Sequence, residues 1–536
     1  MTTVDLARNP KHRRILFSLV HPGYLRNFDS SIRLLAERGH RVRLLFAHHR
    51  KAVDAGRMLL DEYATKYGIE YEARSFAPTF WMNWAVLVRS VRDYARYFRP
   101  AFQQATKLRD RAAEHVSAPL RILLSLPGVR AWIWGPAMTR LLAFAEAGIP
   151  PDPAIMDYFR QREIDLLMVS PFVDIASPQT EYVKAAQALG IPTVLPVHSW
   201  DNLTNKGQIR IVPDLVAVWN HLQEREAIDI HGIAPERIVV TGAQAYDHWF
   251  GWKASGREEF CGRIGLDPAR PYFLYVGSSG FIAAEESTFA SSWIRRVRSA
   301  ANPVLHTAGI LIRPYPQNPR AWDRFKPERF GDVVVYPRNG SNPMNPADKQ
   351  DYFDSIFHAA AIVGVNTSAL IECAILRRQA FTILDERFKD TQEGTLHFHY
   401  LVDPRFGFLR VARSFDEHID QLTRALQPDD EETRERADRF VKTFIRPCGT
   451  DVAGTPRLVA AIERVAGESQ VSVHTPSTVS TTLFLLPALL AWSIPRPTKQ
   501  REIDLASLPK DARRVIKAQR RERRSQNSAR VGARVP

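Results

Sequence analysis

The sequence predicts an α/β protein made of two successive open, parallel-sheet domains. Three observations predict it. Short apolar, β-branched runs alternate with helical patterns over most of the chain, the signature of strand–helix–strand units. The alternation starts twice, at Arg13 and again at Tyr272. The chain of 536 residues exceeds what one core organises, and it accommodates two domains of about 200 residues with extensions.

In the first domain, residues 13–20 (RRILFSLV) read as a strand, His21 to Tyr24 as a turn, and 28–38 as a helix stopped by Gly39. Residues 41–47 (RVRLLFA) form the second strand, and helix 53–67 and strand 69–75 extend the pattern. No G-x-G-x-x-G is present, so a dinucleotide fingerprint is absent. From 78 to 150 the alternation fails, and the segment reads as a helical insertion rich in Arg and aromatic residues. Arg89, Arg92, Arg96 and Arg99 recur at three- to four-residue spacing and so share a face. The insertion is expected either to contact a membrane or large acceptor, or to be a helical cap packed on the first domain with its arginines solvated. Strands resume at 165–170, 192–197, 215–218 and 237–241, with a crossover expected near 247–258, where Gln244 and Asp247 would approach a cleft.

The second domain opens with strand Tyr272–Val276 and Gly277-Ser278-Ser279, then helix 285–299 and strands Gly309–Arg313 and 332–336. Its centre is the stretch 360–400. Ala361-Ile362-Val363 reads as a buried strand, Asn366-Thr367-Ser368 as helix-capping residues, and 369–376 as a helix before strand 380–384. A helix start at the carboxyl end of a parallel strand presents N–H groups and a positive dipole end. Glu372 lies one turn beyond Ser368 on the same face. A phosphate at the helix start with a carboxylate one turn away describes a nucleotide-sugar site; the plainer reading is a capped strand–helix unit with Glu372 in solvent. Helices at 414–426, 431–444 and 456–465 complete the domain.

These elements resemble the GT-B glycosyltransferase superfamily over residues 13–465. The segments carrying the resemblance are Gly277-Ser278-Ser279, Arg313-Pro314-Tyr315-Pro316-Gln317-Asn318, and Asn366-Thr367-Ser368 through Glu372. The second is similar to an R-P-H-P segment of some transferases of glycosyl or glycerol-phosphate groups, with Tyr315 in place of His. The resemblance implies two Rossmann-like domains facing across a cleft: 1–250 for the acceptor and 251–468 for the nucleotide donor, followed by 469–536 as an apolar segment and basic tail. It implies donor contacts from Gly277, Ser278, Ser279, Arg313, Asn366, Thr367, Ser368 and Glu372, with Gln392 and Glu393 in the polar loop beside the sugar. Arg313 would neutralise the leaving diphosphate. An inverting transfer needs a base, and the candidates at strand ends are His21, Asp174, His198 and Asp201.

The expected partners are a nucleotide-activated sugar and a glycan or lipid-linked acceptor, with no cofactor beyond the donor itself. No metal is expected: there is no Asp-x-Asp, and His397 and His399 lack a third ligand. A UDP-sugar epimerase or a glycerophosphotransferase shares the fold and stays open as an alternative. So does a non-catalytic scaffold on membrane or nucleic acid. Cys261, Cys373 and Cys448 form no disulfide or zinc pattern, and the first residues lack a signal-peptide core, which points to the cytoplasm.

The net charge is +15, and from Arg496 onward there are 13 Lys/Arg against 4 Asp/Glu. Residues 482–494 (TLFLLPALLAWSI) are an apolar run shorter than the ~20 residues of a spanning helix. Run and tail together suggest attachment to an anionic inner leaflet, against the alternative of a docked helix with a disordered tail. The tail has no interleaved aromatic residues and no nucleic-acid motif, which argues against nucleic acid as a partner.

Overall fold

The computed structural model describes residues 12–493, apart from 48–50, 175–176, 317, 428–430, 469–472 and 474. Two all-parallel sheets organise it. The first contains β1 (Arg14–Leu19), β2 (Arg41–Phe46), β3 (Glu70–Ala73), β4 (Leu166–Ser170), β5 (Thr193–Pro196), β6 (Leu215–Val218) and β7 (Ile238–Val240), in the order β3-β2-β1-β4-β5-β6-β7. The second contains β8 (Tyr272–Val276), β9 (Gly309–Arg313), β10 (Val333–Val335), β11 (Ala361–Gly364), β12 (Ala380–Ile383) and β13 (Arg410–Ala412), in the order β10-β9-β8-β11-β12-β13. Each sheet starts at its centre, winds to one side, then returns to wind to the other. The order therefore reverses between β1 and β4 and between β8 and β11, where α/β sheets open a crevice. Strands β4, β8 and β9 are buried at every residue, as helices on both faces require. The fold is that of two Rossmann-like domains facing across a cleft. The three-residue strand β13 is too short to show a period, and the sequence did not reveal it.

In the first domain, α1 (Asp29–Glu37) and α2 (Lys51–Tyr67) precede the insertion. The insertion forms α3 (Met82–Arg96), α4 (Thr106–Ala113), α5 (Ala118–Ser125), α6 (Pro127–Ile133) and α7 (Pro136–Ala147). Pro127 and Pro136 sit at first helical positions, where the missing N–H costs nothing. The arginines of α3 are not the solvated set that the cap reading expects: Arg89 and Arg96 point inward. Arg89 is buried and pairs with Glu146 of α7 at 2.6 Å and with Glu181 at 2.5 Å. Arg96 is buried and donates to the Lys206 and Gly207 carbonyls. Asp93 pairs with Arg210, both fully enclosed. Burying a guanidinium group is costly without such partners.

The chain crosses back at its end. Helix Gly454–Gly467, expected with the second domain, buries Leu458, Val459, Ile462 and Val465 against Ile32 and Leu35 and the first sheet's core. Asp247 holds this helix in place and does not reach the cleft: its carboxylate accepts from the amides of Gly454 and Thr455 at 3.0 and 2.6 Å. A last helix, Thr478–Ser493, packs on α3 and α7. The basic tail expected from Arg496 lies outside the described residues.

Candidate functional site

A cleft of ≈ 400 Å³ lies between the two sheets. Its walls come from segments at the carboxyl ends of the strands. His21 follows β1, His198 to Lys206 follow β5, and Ala245 to Trp249 follow β7; Ser279 follows β8, Tyr315 follows β9, and Asn366 to Ser368 follow β11. This is where open α/β sheets bind ligands, and the volume suits one small-molecule site. Trp249 and Trp252 flank it from the crossover segment. Trp249 stacks on Phe353, with centroids 5.4 Å apart.

Four cationic side chains line the cleft: Arg26, Arg111, Lys206 and Lys349. Against them stand two carboxylates, Asp201 and Glu372. Lys206 is held at 3.0 Å by Asp174, and Lys349 at 3.1 Å by Asp29. Arg111 comes from the insertion and donates to the Asn205 carbonyl. The cleft is therefore biased toward an anion.

Several residues expected to contact a donor lie in the cleft wall. Asn366, Thr367, Ser368, Glu372 and Ser279 all line the cleft. Asn366 is anchored by its amide to the Thr391 carbonyl at 2.7 Å. Ser368 makes no side-chain cap bond to the helix that follows, so its hydroxyl is not spent there. Glu372 accepts from the Tyr352 hydroxyl at 2.6 Å, and burial raises its carboxyl to about 7.

Other expectations need correction. Arg313 does not line the cleft. Its guanidinium turns beneath the cleft floor, donates to Ser355 Oγ at 2.8 Å, and lies over the Tyr352 ring. The amides expected to meet a phosphate are used internally: Gly277 N–H donates to the Arg313 carbonyl at 2.9 Å and Ser278 N–H to Glu286 at 2.7 Å. Gly277 is glycine because a Cβ there would come within 2.8 Å of the Tyr315 amide nitrogen. Gln392 is fully buried and ties its loop to the Val365 and Ile383 carbonyls, each at 3.1 Å. Glu393 faces a separate groove near Pro100. Gln244, expected near the cleft, is also buried and does not line it.

The four base candidates separate clearly. His21 lines the cleft, but its Nδ1 accepts from the Gly23 amide at 3.0 Å. Asp174 does not line it and is spent on Lys206. Asp201 lines it, accepts from Ser199 at 2.5 Å, and is held at about 2: burial opposes this, but His397, Lys206 and Ser199 outweigh it. His198 lines the cleft with its ring edge on Tyr24 at 4.8 Å. Its Nδ1 is buried without a hydrogen-bond partner. Burial lowers its pKa to about 4, against the pull of Asp201 and Asp174, so the ring is neutral at pH 7. Among the described residues no group of three or more His, Cys, Asp or Glu side chains is placed to hold a metal.

Sequence reasoning missed Arg26, Arg111, Lys206 and Lys349. Lys206 stands in the dense polar run HSWDNLTNKG, five residues after Asp201. The other three carried no local signal.

Buried titratable groups, in the cleft and away from it, set a pH dependence. Burial raises the carboxyls of Glu226, Glu286 and Glu372 to about 8, 7 and 7. Their stabilisation is full below the ordinary carboxyl range and is lost as pH rises through those values. Burial lowers His198, His231, His397 and His418 to about 4, 3, 4 and 4. Their stabilisation is full above about 6.5 and is lost as pH falls. The thermal midpoint should therefore peak near pH 6.5 and decline on both sides. Glu226→Gln should flatten the alkaline decline; a midpoint rising steadily to pH 8 in the native chain would refute the assignment.

No family model and no curated protein matches the sequence. Among solved structures, a glycosyltransferase from Rickettsia africae is similar at 9 % identity, covering 86 % of this chain and 100 % of that one, with TM-score 0.49. UDP-GlcNAc 2-epimerase from Neisseria meningitidis, bound to UDP-GlcNAc, is similar at 11 % identity, covering 84 % and 99 %, with TM-score 0.46. MurG from Acinetobacter baumannii is similar at 14 % identity, covering 84 % and 99 %, with TM-score 0.41.

Proposed function

We propose that the chain is a glycosyltransferase that takes a sugar from a nucleotide-activated donor and passes it to a glycan or lipid-linked acceptor. The observation that carries the reading is the cleft itself: four side-chain cations and the Asn366-to-Ser368 segment converge at the carboxyl ends of both sheets. In this reading Thr367, Ser368, Lys349 and Arg26 hold the diphosphate, and Glu372 takes a sugar or ribose hydroxyl. The charge that develops on the leaving diphosphate is met by fixed cations already in place, so the reading needs no metal. His198 takes the proton of the acceptor hydroxyl. The free cysteines suit a reducing compartment.

The test is calorimetric titration of the full chain with UDP, GDP, CDP and their common sugar conjugates, with and without EDTA. One nucleotide should bind, unaffected by EDTA. Lys349→Ala and Arg26→Ala should each weaken it about 10-fold or more, the scale of one lost charged hydrogen bond. Binding by none of them would remove the transferase reading. Turnover of the free nucleotide-sugar without acceptor would replace it with an epimerase.

A further inference from the structure

The helix Thr478–Ser493 has no charged residue and is apolar on all sides, yet only one side is covered. That side carries Ala488, fully buried, and Phe484, stacked on Trp84 of α3 at 5.3 Å. Ser480 and Thr481 fasten its first turn by donating to the Phe144 and Gly148 carbonyls at 2.5 and 2.8 Å. The opposite side leaves Leu483, Leu486 and Leu489 between 52 % and 64 % exposed. An all-apolar helix normally has both sides buried.

The exposure does not stop at this helix. α7 lies beside it and exposes Leu141 and Phe144. α6 lies beside α7 and exposes Trp132; α5 lies beside α6 and exposes Ile122 and Leu123. Single exposed apolar residues are ordinary, but a run across four adjacent helices marks an interaction surface.

The charges on these helices say what it meets. Over residues 118–148 the charged side chains are Arg121, Arg130, Arg140 and Glu146. The three arginines are exposed, while Glu146 is buried against Arg89. Every exposed charge on the surface is thus positive. The tail, with 13 Lys/Arg against 4 Asp/Glu from Arg496, begins at the end of the same helix.

We propose that α5, α6, α7 and the helix Thr478–Ser493 form one surface that seats the protein in an anionic lipid leaflet, apolar side chains inserted and arginines at the headgroups. At 1.5 Å per residue the last helix is about 24 Å long, short of the ~30 Å hydrocarbon core. No described helix is long and apolar enough to cross a membrane. The helix therefore lies along the interface and does not span it. The insertion links this face to the cleft, since α4 carries Arg111 into the cleft wall. The docking surface stands whether or not the cleft transfers sugar. If it does, a lipid-borne acceptor fits the arrangement.

The test is flotation of the full chain with vesicles of phosphatidylcholine alone, or of phosphatidylcholine and phosphatidylglycerol at two to one. The chain should float with the mixed vesicles. Leu483→Glu with Leu486→Glu should lower that fraction about 10-fold or more, and Trp132→Glu alone should lower it measurably. Circular dichroism and the melting midpoint should not change, because these side chains already face water. Nucleotide binding should not change either, which separates failure here from failure of the transferase reading. Flotation of the double variant at the level of the unaltered chain would overturn the proposal and leave binding to the tail alone. A lipid-free dimer that the double variant converts to monomer, with flotation unchanged, would overturn it in favour of a second copy.

Discussion

Replacing His198 with alanine should lower sugar transfer by about 10²–10⁴-fold, the usual contribution of a positioned base, with little change in nucleotide affinity. The expectation rests on what each candidate already does. Asp174 is committed to Lys206, His21 holds a backbone amide through Nδ1, and Asp201 sits near 2, too low to draw a proton effectively from a hydroxyl. His198 alone among them is neutral and buried, with an unpartnered ring nitrogen and a place in the cleft wall. When it accepts the proton, Asp201 and Asp174 both favour the imidazolium. Asp201→Asn should therefore cost less than His198→Ala and, with the negative charge removed, should move the acid limb of the rate to lower pH, not abolish transfer. Unaltered transfer by His198→Ala, with folding verified, would move the role to His21.

The sheets were legible because a buried parallel strand announces itself as an unbroken apolar run, as in LLMV of β4 and YFLYV of β8. The Asn366-to-Glu372 element was legible for a similar reason: helical spacing fixes that Ser368 and Glu372 share a face, and both line the cleft. Side-chain direction was not legible where distant partners decide it. Arg313 stands at the strand end the sequence indicated, but Ser355, on a helix 42 residues later, draws it under the floor. The α3 arginines shared a face as the spacing implied. Whether that face was inside depended on Glu146 and Glu181, 57 and 92 residues away from Arg89. The cationic lining failed to show for the same reason. Lys349 and Arg26 enter the cleft only once β1 and the β10–β11 segment meet across it.

Arg89→Ala should destabilise the chain by about 3–5 kcal/mol, because it leaves buried carboxylates without their partner. Arg89 bridges Glu146 of α7 and Glu181, and Lys184 completes the group at 3.1 Å from Glu181. All four side chains are at least nine-tenths enclosed. The arginine holds Glu146 at about 2 despite burial, so its removal strands a charge. At about 2–4 °C per kcal/mol for a domain of this size, the first thermal transition should fall by about 6–20 °C. Arg89→Leu combined with Glu146→Leu should recover much of the loss, since apolar replacement of a buried pair is often neutral and Lys184 still balances Glu181. The location gives the loss a functional reach. The group fastens α3 and α7 to the first sheet domain; α7 and the helix Thr478–Ser493 form part of the apolar surface, and α3 also holds the Lys206 backbone through Arg96. Below its melting point Arg89→Ala should therefore weaken vesicle flotation and nucleotide binding together, whereas Leu483→Glu with Leu486→Glu weakens flotation alone. Full stability in Arg89→Ala would mean that the insertion is held by its apolar contacts and the ion group is dispensable.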